Sequence, residues 1–272
     1  MKSTTAARLV GGAAGVRADR VEFAGRVRTA LVAEGSPAPG ALVVLLHGGG
    51  TTARSMVVQC RARDLARRTG WRVVVPQGID NLWRPTRLPT TTHRGHVDDV
   101  AFLDALLARF GAAGPTVVGG FSNGAMMAYR YGFERPDDVD LVLAVGGVPL
   151  ELPDDGRGPA ALHVHGTDDR RVPFGGGREL PAVDAQLRHL ARRRGLRWST
   201  RSTDPHLVRR AEPTGDNTGG WIELHVVAGV GHAWPGGVRL SPLSDDPTAH
   251  FDVGRLLATT VAGLARFGEG AR

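Results

Sequence analysis

Unbroken apolar runs alternate with amphipathic stretches along most of the chain. Residues 41–46 and 71–76, with 140–147 and 160–166, are rich in aliphatic side chains and lack the polar alternation of a half-exposed strand. They predict strands buried on both faces of a parallel sheet, and 221–227 supplies the last of them. Between them, helical spacing recurs over 55–68 (Met56, Val57, Cys60, Leu65), 98–110, a segment starting near Asn123, 183–194 and 253–267. Strand–helix alternation of this kind implies a mostly parallel central sheet with helices on both faces. Upstream, residues 1–18 read as a loose N-terminal leader and 21–33 as one or two antiparallel edge strands. Short strands are expected near 198–201 and 208–212, with most of 204–220 as loop. Neither an internal repeat nor an interdomain linker is visible, so 19–272 is expected to form a single α/β domain. Only about a dozen residues separate the strands near 145 and 160, which leaves no room for a large cap domain and predicts an open, shallow site.

The segment 116–127 carries the clearest chemistry. An apolar β-run leads into Gly120-Phe121-Ser122-Asn123-Gly124 and then a small-residue helix start. G-x-S-x-G suits a strand-to-helix turn whose central residue takes strained dihedrals and lifts its hydroxyl off the sheet, since larger side chains two before and two after would collide. Ser122 is therefore the candidate nucleophile. A serine hydroxyl is a poor nucleophile at neutral pH and needs a base. His232 is the best placed of ten histidines, because it alone lies in a glycine-flanked loop after the last strand. His206 and His250, in polar loops, are its rivals; His163, His165 and His225 lie in or at the end of strands and read as core or surface residues. The third member is an acid on the loop after 160–166, where Asp168 and Asp169 are adjacent and the pattern alone does not choose between them. The order serine, acid, histidine is that of α/β-hydrolases.

His47-Gly48-Gly49-Gly50-Thr51 follows the first buried strand. Glycines there let backbone N–H groups face a cleft, so Gly49, Gly50 and Thr51, with the backbone of Asn123, are candidate oxyanion-hole donors. His47 comes too early for proton transfer and is expected to brace the loop. Asp98 and Asp99 read as helix-start residues that complement the helix dipole. Trp83, in a long segment after a strand end, and Trp234, near His232, are candidate substrate-binding walls, with a core role as the alternative for each.

The formal charge of +7 and pI near 10.9 raise the question of nucleic acid, but the arginines are scattered and Lys2 is the sole lysine, so no phosphate-binding stripe is expected. Cys60 is alone, which excludes an intrachain disulfide and a cysteine-based zinc site. His93 and His96 resemble a metal pair only superficially, since Asp98 and Asp99 begin a helix; no metal and no cofactor are implied. No apolar run has the length of a membrane span. A cytoplasmic location is the direct expectation, or a secreted one if a signal peptide once preceded the chain.

Leu46-His47-Gly48-Gly49-Gly50, 98–106, Gly120-Phe121-Ser122-Asn123-Gly124-Ala125-Met126, His165-Gly166-Thr167-Asp168-Asp169 with Val172-Pro173, and Gly231-His232-Ala233-Trp234-Pro235-Gly236 together resemble the polyhydroxybutyrate-depolymerase and feruloyl-esterase group of α/β-hydrolases, which includes the LpqC-like esterases. The matching pieces span 46 to about 237. In that group the acid is the second residue after the Gly-Thr pair, which favours Asp169. The resemblance implies the α/β-hydrolase fold and a cofactor-free serine carboxylic ester hydrolase acting through an acyl-enzyme on short hydroxyalkanoate oligomers, acetyl or hydroxycinnamate esters. Its partner would be a small or oligomeric ester, with neither nucleic acid nor membrane involved. An acyltransferase on the same scaffold, or a non-catalytic binding protein that kept the fold, are the alternatives.

Overall fold

A computed structural model describes residues 15–23, 25–87, 98–151, 157–177, 179–203, 206–214 and 220–269. His93 and His96 lie outside the described residues, as does most of the expected leader. Ten strands join in one sheet: β1 (Val16–Phe23), β2 (Arg26–Glu34), β3 (Leu42–Leu46), β4 (Arg72–Pro76), β5 (Thr116–Phe121), β6 (Leu141–Val145), β7 (Ala160–Gly166), β8 (Leu196–Thr203), β9 (His206–Pro213) and β10 (Ile222–Val227). Their spatial order is β1-β2-β4-β3-β5-β6-β7-β10-β9-β8. The stretch from β4 to β10 is parallel, and both margins are antiparallel.

Successive side chains of a strand point to opposite faces, so a strand covered on both sides must be apolar throughout. In β3, Leu42, Val44 and Leu46 enter one core cluster while Val43 and Leu45 enter the other. The first cluster is completed by α3 (Asp99–Phe110), α4 (Asn123–Glu134) and α5 (Val183–Arg193), and the second by α1 (Ala53–Gln59), α2 (Ala62–Thr69) and α6 (Val253–Glu269). The connection from β6 to β7 spans only 146–159, and among the described residues no cap domain covers the sheet. Among the described residues no helix is long and apolar enough to cross a membrane.

Several elements differ from expectation. β1 starts at Val16, so the last residues of the expected leader are strand. The helix predicted over 55–68 is two, broken where Arg61 adopts φ 53° in the left-handed region. There the Gln59 carbonyl accepts the Val238 N–H at 3.0 Å, tying this corner to a distant loop. β8 and β9 are longer than the short strands expected, because they form a half-exposed antiparallel margin whose arginines and threonines blur the apolar pattern.

The two aspartates at the start of α3 do different things. Asp98 is the N-cap, its carboxylate accepting the Ala101 N–H at 3.0 Å. Asp99 goes beyond a helix-start role: it is buried, accepts the Arg84 N–H at 3.0 Å and pairs with the buried Arg28 guanidinium at 2.8 Å. Arg28 in turn lies 3.5 Å from the centroid of the Phe102 ring. Asp99→Ala leaves a buried cation without its counter-ion, which should cost roughly 3–5 kcal/mol. Urea unfolding of the variant measures this, and a loss under about 1 kcal/mol would show the pair to be solvated in solution.

Candidate active site

Ser122 stands between the end of β5 and the first residue of α4 with φ 55° and ψ −121°. A non-glycine residue is strained there and persists only where its surroundings over-determine it. The two flanking glycines supply that constraint. A Cβ on Gly124 would lie 2.3 Å from the Leu46 carbonyl oxygen and 2.6 Å from that of His47, and one on Gly120 would lie 2.5 Å from the Gly124 carbonyl carbon. The first turn of α4 therefore packs directly on the end of β3. The Ser122 N–H donates to Val145 O at 2.9 Å, fixing the turn against β6 as well.

At the end of β7, Asp169 is buried and receives several donors. Its Oδ1 accepts the N–H groups of Arg171 at 2.9 Å and Val172 at 2.8 Å, and its Oδ2 accepts His232 Nδ1–H at 2.7 Å. That bond puts the proton of a neutral His232 on Nδ1 and leaves Nε2 as the basic nitrogen. Burial alone would raise the Asp169 pKa, but the hydrogen bond and charge of His232, with the Val172 amide and His165, outweigh it and hold the carboxyl below its ordinary value. Asp168 is exposed and accepts the Thr167 hydroxyl at 2.8 Å instead. The His232 ring rests on Phe121, with centroids 4.7 Å apart. Gly146 takes φ +59°, in the left-handed region, beside this cluster: a Cβ there would be tight against Phe121 Cε2 at 3.2 Å and in ordinary contact with Asp169 Oδ2 and His232 Cε1 at 3.5 Å. Ser122 and His232 line one cavity, although no hydrogen bond joins them among the described residues. Catalytic hydrogen bonds are often long or misaligned before substrate arrives.

The glycine stretch after β3 divides its donors. The Gly50 N–H is taken by Asn81 O at 2.8 Å and the Thr51 N–H by Gly48 O at 3.1 Å, which corrects their assignment as oxyanion donors. Among the described residues Gly49 makes no such bond, and a Cβ on it would lie 3.4 Å from Asn123 Cβ, so its backbone adjoins the start of α4. As the first residue of that helix, Asn123 has an amide with no intrahelical acceptor. Its side chain is engaged with Trp83, accepting that residue's N–H at 2.8 Å and donating to its carbonyl at 3.1 Å. His47 is buried, donating from Nδ1 to Gly48 O at 2.9 Å and accepting the Gly78 N–H on Nε2 at 3.0 Å. Burial lowers its pKa and keeps it neutral as a brace for the loop.

Trp83 is a correction. It is fully buried, its indole N–H donates to His47 O at 3.1 Å, and it takes no part in lining the cavity. Trp234 does line it. The cavity measures about 210 Å³ and includes Gly48, Gly49, Thr51, Phe121, Ser122 and His232. The loop 238–247 walls one side, contributing Val238, Leu240, Asp245 and Pro247. Arg239 holds it, donating to the carbonyls of Ser241, Pro242 and Ser244 and pairing with Asp246 at 2.8 Å. Asp245 Oδ2 accepts the His232 backbone N–H at 2.6 Å, so the wall also anchors the histidine loop. The rival histidines lie elsewhere: His206 and His250 stack on each other with ring centroids 5.4 Å apart and line no part of this cavity. Among the described residues no three His, Cys, Asp or Glu side chains are placed to hold a metal ion.

No family model matches the chain. It is 31% identical over 158 residues to the "Putative esterase NocK" of Nocardia uniformis subsp. tsuyamanensis, a match covering 55% of this chain and 44% of that protein. The chain thus spans less than half the length of that curated relative. Among solved structures it superposes on an acetyl xylan esterase from Aspergillus awamori with a TM-score of 0.56 at 14% identity, covering 76% of this chain and 89% of the other. A "predicted CIB-like hydrolase" from Thermoplasma acidophilum gives a TM-score of 0.54 at 18% identity, covering 92% and 98%. The architecture is the α/β-hydrolase fold.

The lowered Asp169 pKa makes stability depend on acid. A carboxyl that ionises more readily folded than unfolded stabilises the fold above its unfolded pKa of about 3.9, and that contribution is lost as pH falls through the folded value. Thermal unfolding between about pH 2 and 5 should therefore be less acid-sensitive in Asp169→Asn than in the parent. Parallel melting-temperature curves would contradict this.

Proposed function

We propose that this chain is a serine carboxylic ester hydrolase working through an acyl-enzyme, of the polyhydroxybutyrate-depolymerase and feruloyl-esterase type. The observation that carries the proposal is the 2.7 Å bond from His232 Nδ1–H to Asp169 Oδ2 in a cavity shared with the strained Ser122. Ser122 Oγ attacks the ester carbonyl while His232 Nε2 takes its proton; the same proton then goes to the departing alcohol as the tetrahedral adduct collapses. Water, deprotonated by His232, releases the acid and restores the serine. Asp169 holds the Nδ1–H tautomer and stabilises the imidazolium formed in each half-reaction. The oxyanion is met by the amides of Asn123 and Gly49, each such donor being worth roughly 100-fold to 1000-fold in turnover.

A cavity of about 210 Å³ suits one short acyl or alcohol moiety. Phe121, Trp234, Val238 and Leu240 offer it apolar walls, and short hydroxyalkanoate, acetyl or hydroxycinnamate esters are the substrates proposed. Discharge of the acyl-enzyme to an alcohol in place of water would give the acyltransferase outcome on the same residues.

Ser122→Ala should reduce hydrolysis of p-nitrophenyl acetate and butyrate by at least about 1000-fold with circular dichroism and melting temperature unchanged. Retained turnover would falsify the nucleophile assignment. A panel of p-nitrophenyl esters, methyl ferulate, acetylated xylan and hydroxybutyrate oligomers then ranks the substrates, and the small cavity predicts a fall in kcat/KM beyond short acyl chains.

A further inference from the structure

Behind the acid, on the face of the sheet covered by α4, lies a buried polar chain that the proposed chemistry does not use. His163 and His165 alternate along β7 and so share one face. Both are buried, as is Tyr129 of α4. Tyr129 Oη lies 2.8 Å from His163 Nδ1, His163 Nε2 lies 3.1 Å from His165 Nδ1, and His165 Nε2 lies 2.7 Å from Val172 O and 3.5 Å from Asp169 Oδ2.

The direction of this chain follows from its end. A carbonyl only accepts, so His165 Nε2 carries the proton that faces Val172 O. A neutral ring has one N–H, so His165 Nδ1 is bare and accepts from His163 Nε2–H. His163 Nδ1 is then bare in turn and accepts the Tyr129 hydroxyl. Every ring nitrogen and the hydroxyl are satisfied by one arrangement of protons. We propose that Tyr129, His163 and His165 form a one-way hydrogen-bond relay that positions Asp169 from behind, with His165 as its terminal positioning residue.

Two physical arguments support a positioning role. The Val172 carbonyl gripped by His165 belongs to the same residue whose N–H grips Asp169 Oδ1, so the relay tightens the turn over 169–172 that sets the carboxylate. Second, apolar side chains would fill this core space without desolvating two imidazoles and a phenol, so the polar chain has a cost that packing alone does not require. Burial holds both imidazoles below their ordinary pKa, which keeps them neutral and the proton pattern single.

The inference rests on the assignment of Ser122, Asp169 and His232 as an ester-hydrolysing triad, and its test separates the two. Wild-type protein that neither hydrolyses p-nitrophenyl butyrate nor gives an acylation burst overturns the hydrolase assignment and the positioning role in turnover with it. The hold on Asp169 has its own readout in the downfield proton resonance of His232 Nδ1–H. In an active wild type, His165→Leu should lower kcat per burst-titrated site by about tenfold or more, with KM within about twofold, and shift or abolish that resonance. His165→Gln, which returns an N–H near the Nε2 position, should recover most of both. A core residue of purely structural importance would reduce melting temperature and the titratable fraction while leaving kcat per titrated site and the resonance intact, and that result overturns the proposal. If His165→Leu does not fold, Tyr129→Phe decides. Removal of the first donor should lower kcat per site by about two- to fivefold and shift the resonance; no change in either contradicts the relay.

Discussion

The close approach of α4 to the end of β3 is the constraint on which the rest depends. With no side chain on Gly124, the helix start sits against the Leu46 and His47 carbonyls, and this contact holds Ser122 at φ 55°. Three consequences come from one packing event. The hydroxyl is lifted clear of the sheet, the start of α4 at Asn123 is brought beside Gly49, and Phe121 is turned to support the His232 ring. Strain at Ser122 is thus balanced by the packing of two buried clusters on either side of the sheet, where local distortion is expensive.

The acid and the histidine are supported differently. Asp169 is held inside the protein, by two backbone amides and by the chain from Tyr129. His232 hangs from a surface loop whose backbone is fixed by Asp245, itself part of a wall organised by Arg239. A rigid acid and a loop-borne imidazole fit the role proposed for His232, a proton carrier that faces first the serine and then the leaving group. The side wall also modifies the picture of an open rim: among the described residues it is 238–247 that shape the cavity from one side.

Much of this was legible in the sequence where the signal is local. The apolar runs at 41–46 and 160–166 required cover on both faces, and β3 and β7 have it. Glycines at 120 and 124 marked a close approach, and the glycine-flanked His232 marked a loop after a strand end. Partnerships set by strand order were not legible. Arg28 and Asp99 are 71 residues apart and meet because β2 lies beside β4 and under α3; nothing near either residue announces it. Asp245 sits in a polar stretch that looks like any solvated loop, and Trp83 carries the same letter whether it walls a cleft or braces His47. The pair His163 and His165 had a signal, two polar residues on one face of an otherwise apolar strand, whose meaning depends on Tyr129 arriving from another element. Among Gly49, Gly50 and Thr51, free and committed amides differ only in turn geometry, which composition does not encode.

The central claim is that Ser122 is made nucleophilic by His232 held on Asp169. Treatment of the folded protein with diisopropyl fluorophosphate, followed by peptide mass mapping, tests it most directly. The account predicts a single phosphoryl adduct on Ser122 that forms quickly in the parent and at least about 100-fold more slowly in His232→Ala. An unlabelled Ser122, or labelling equally fast without the imidazole, would contradict it.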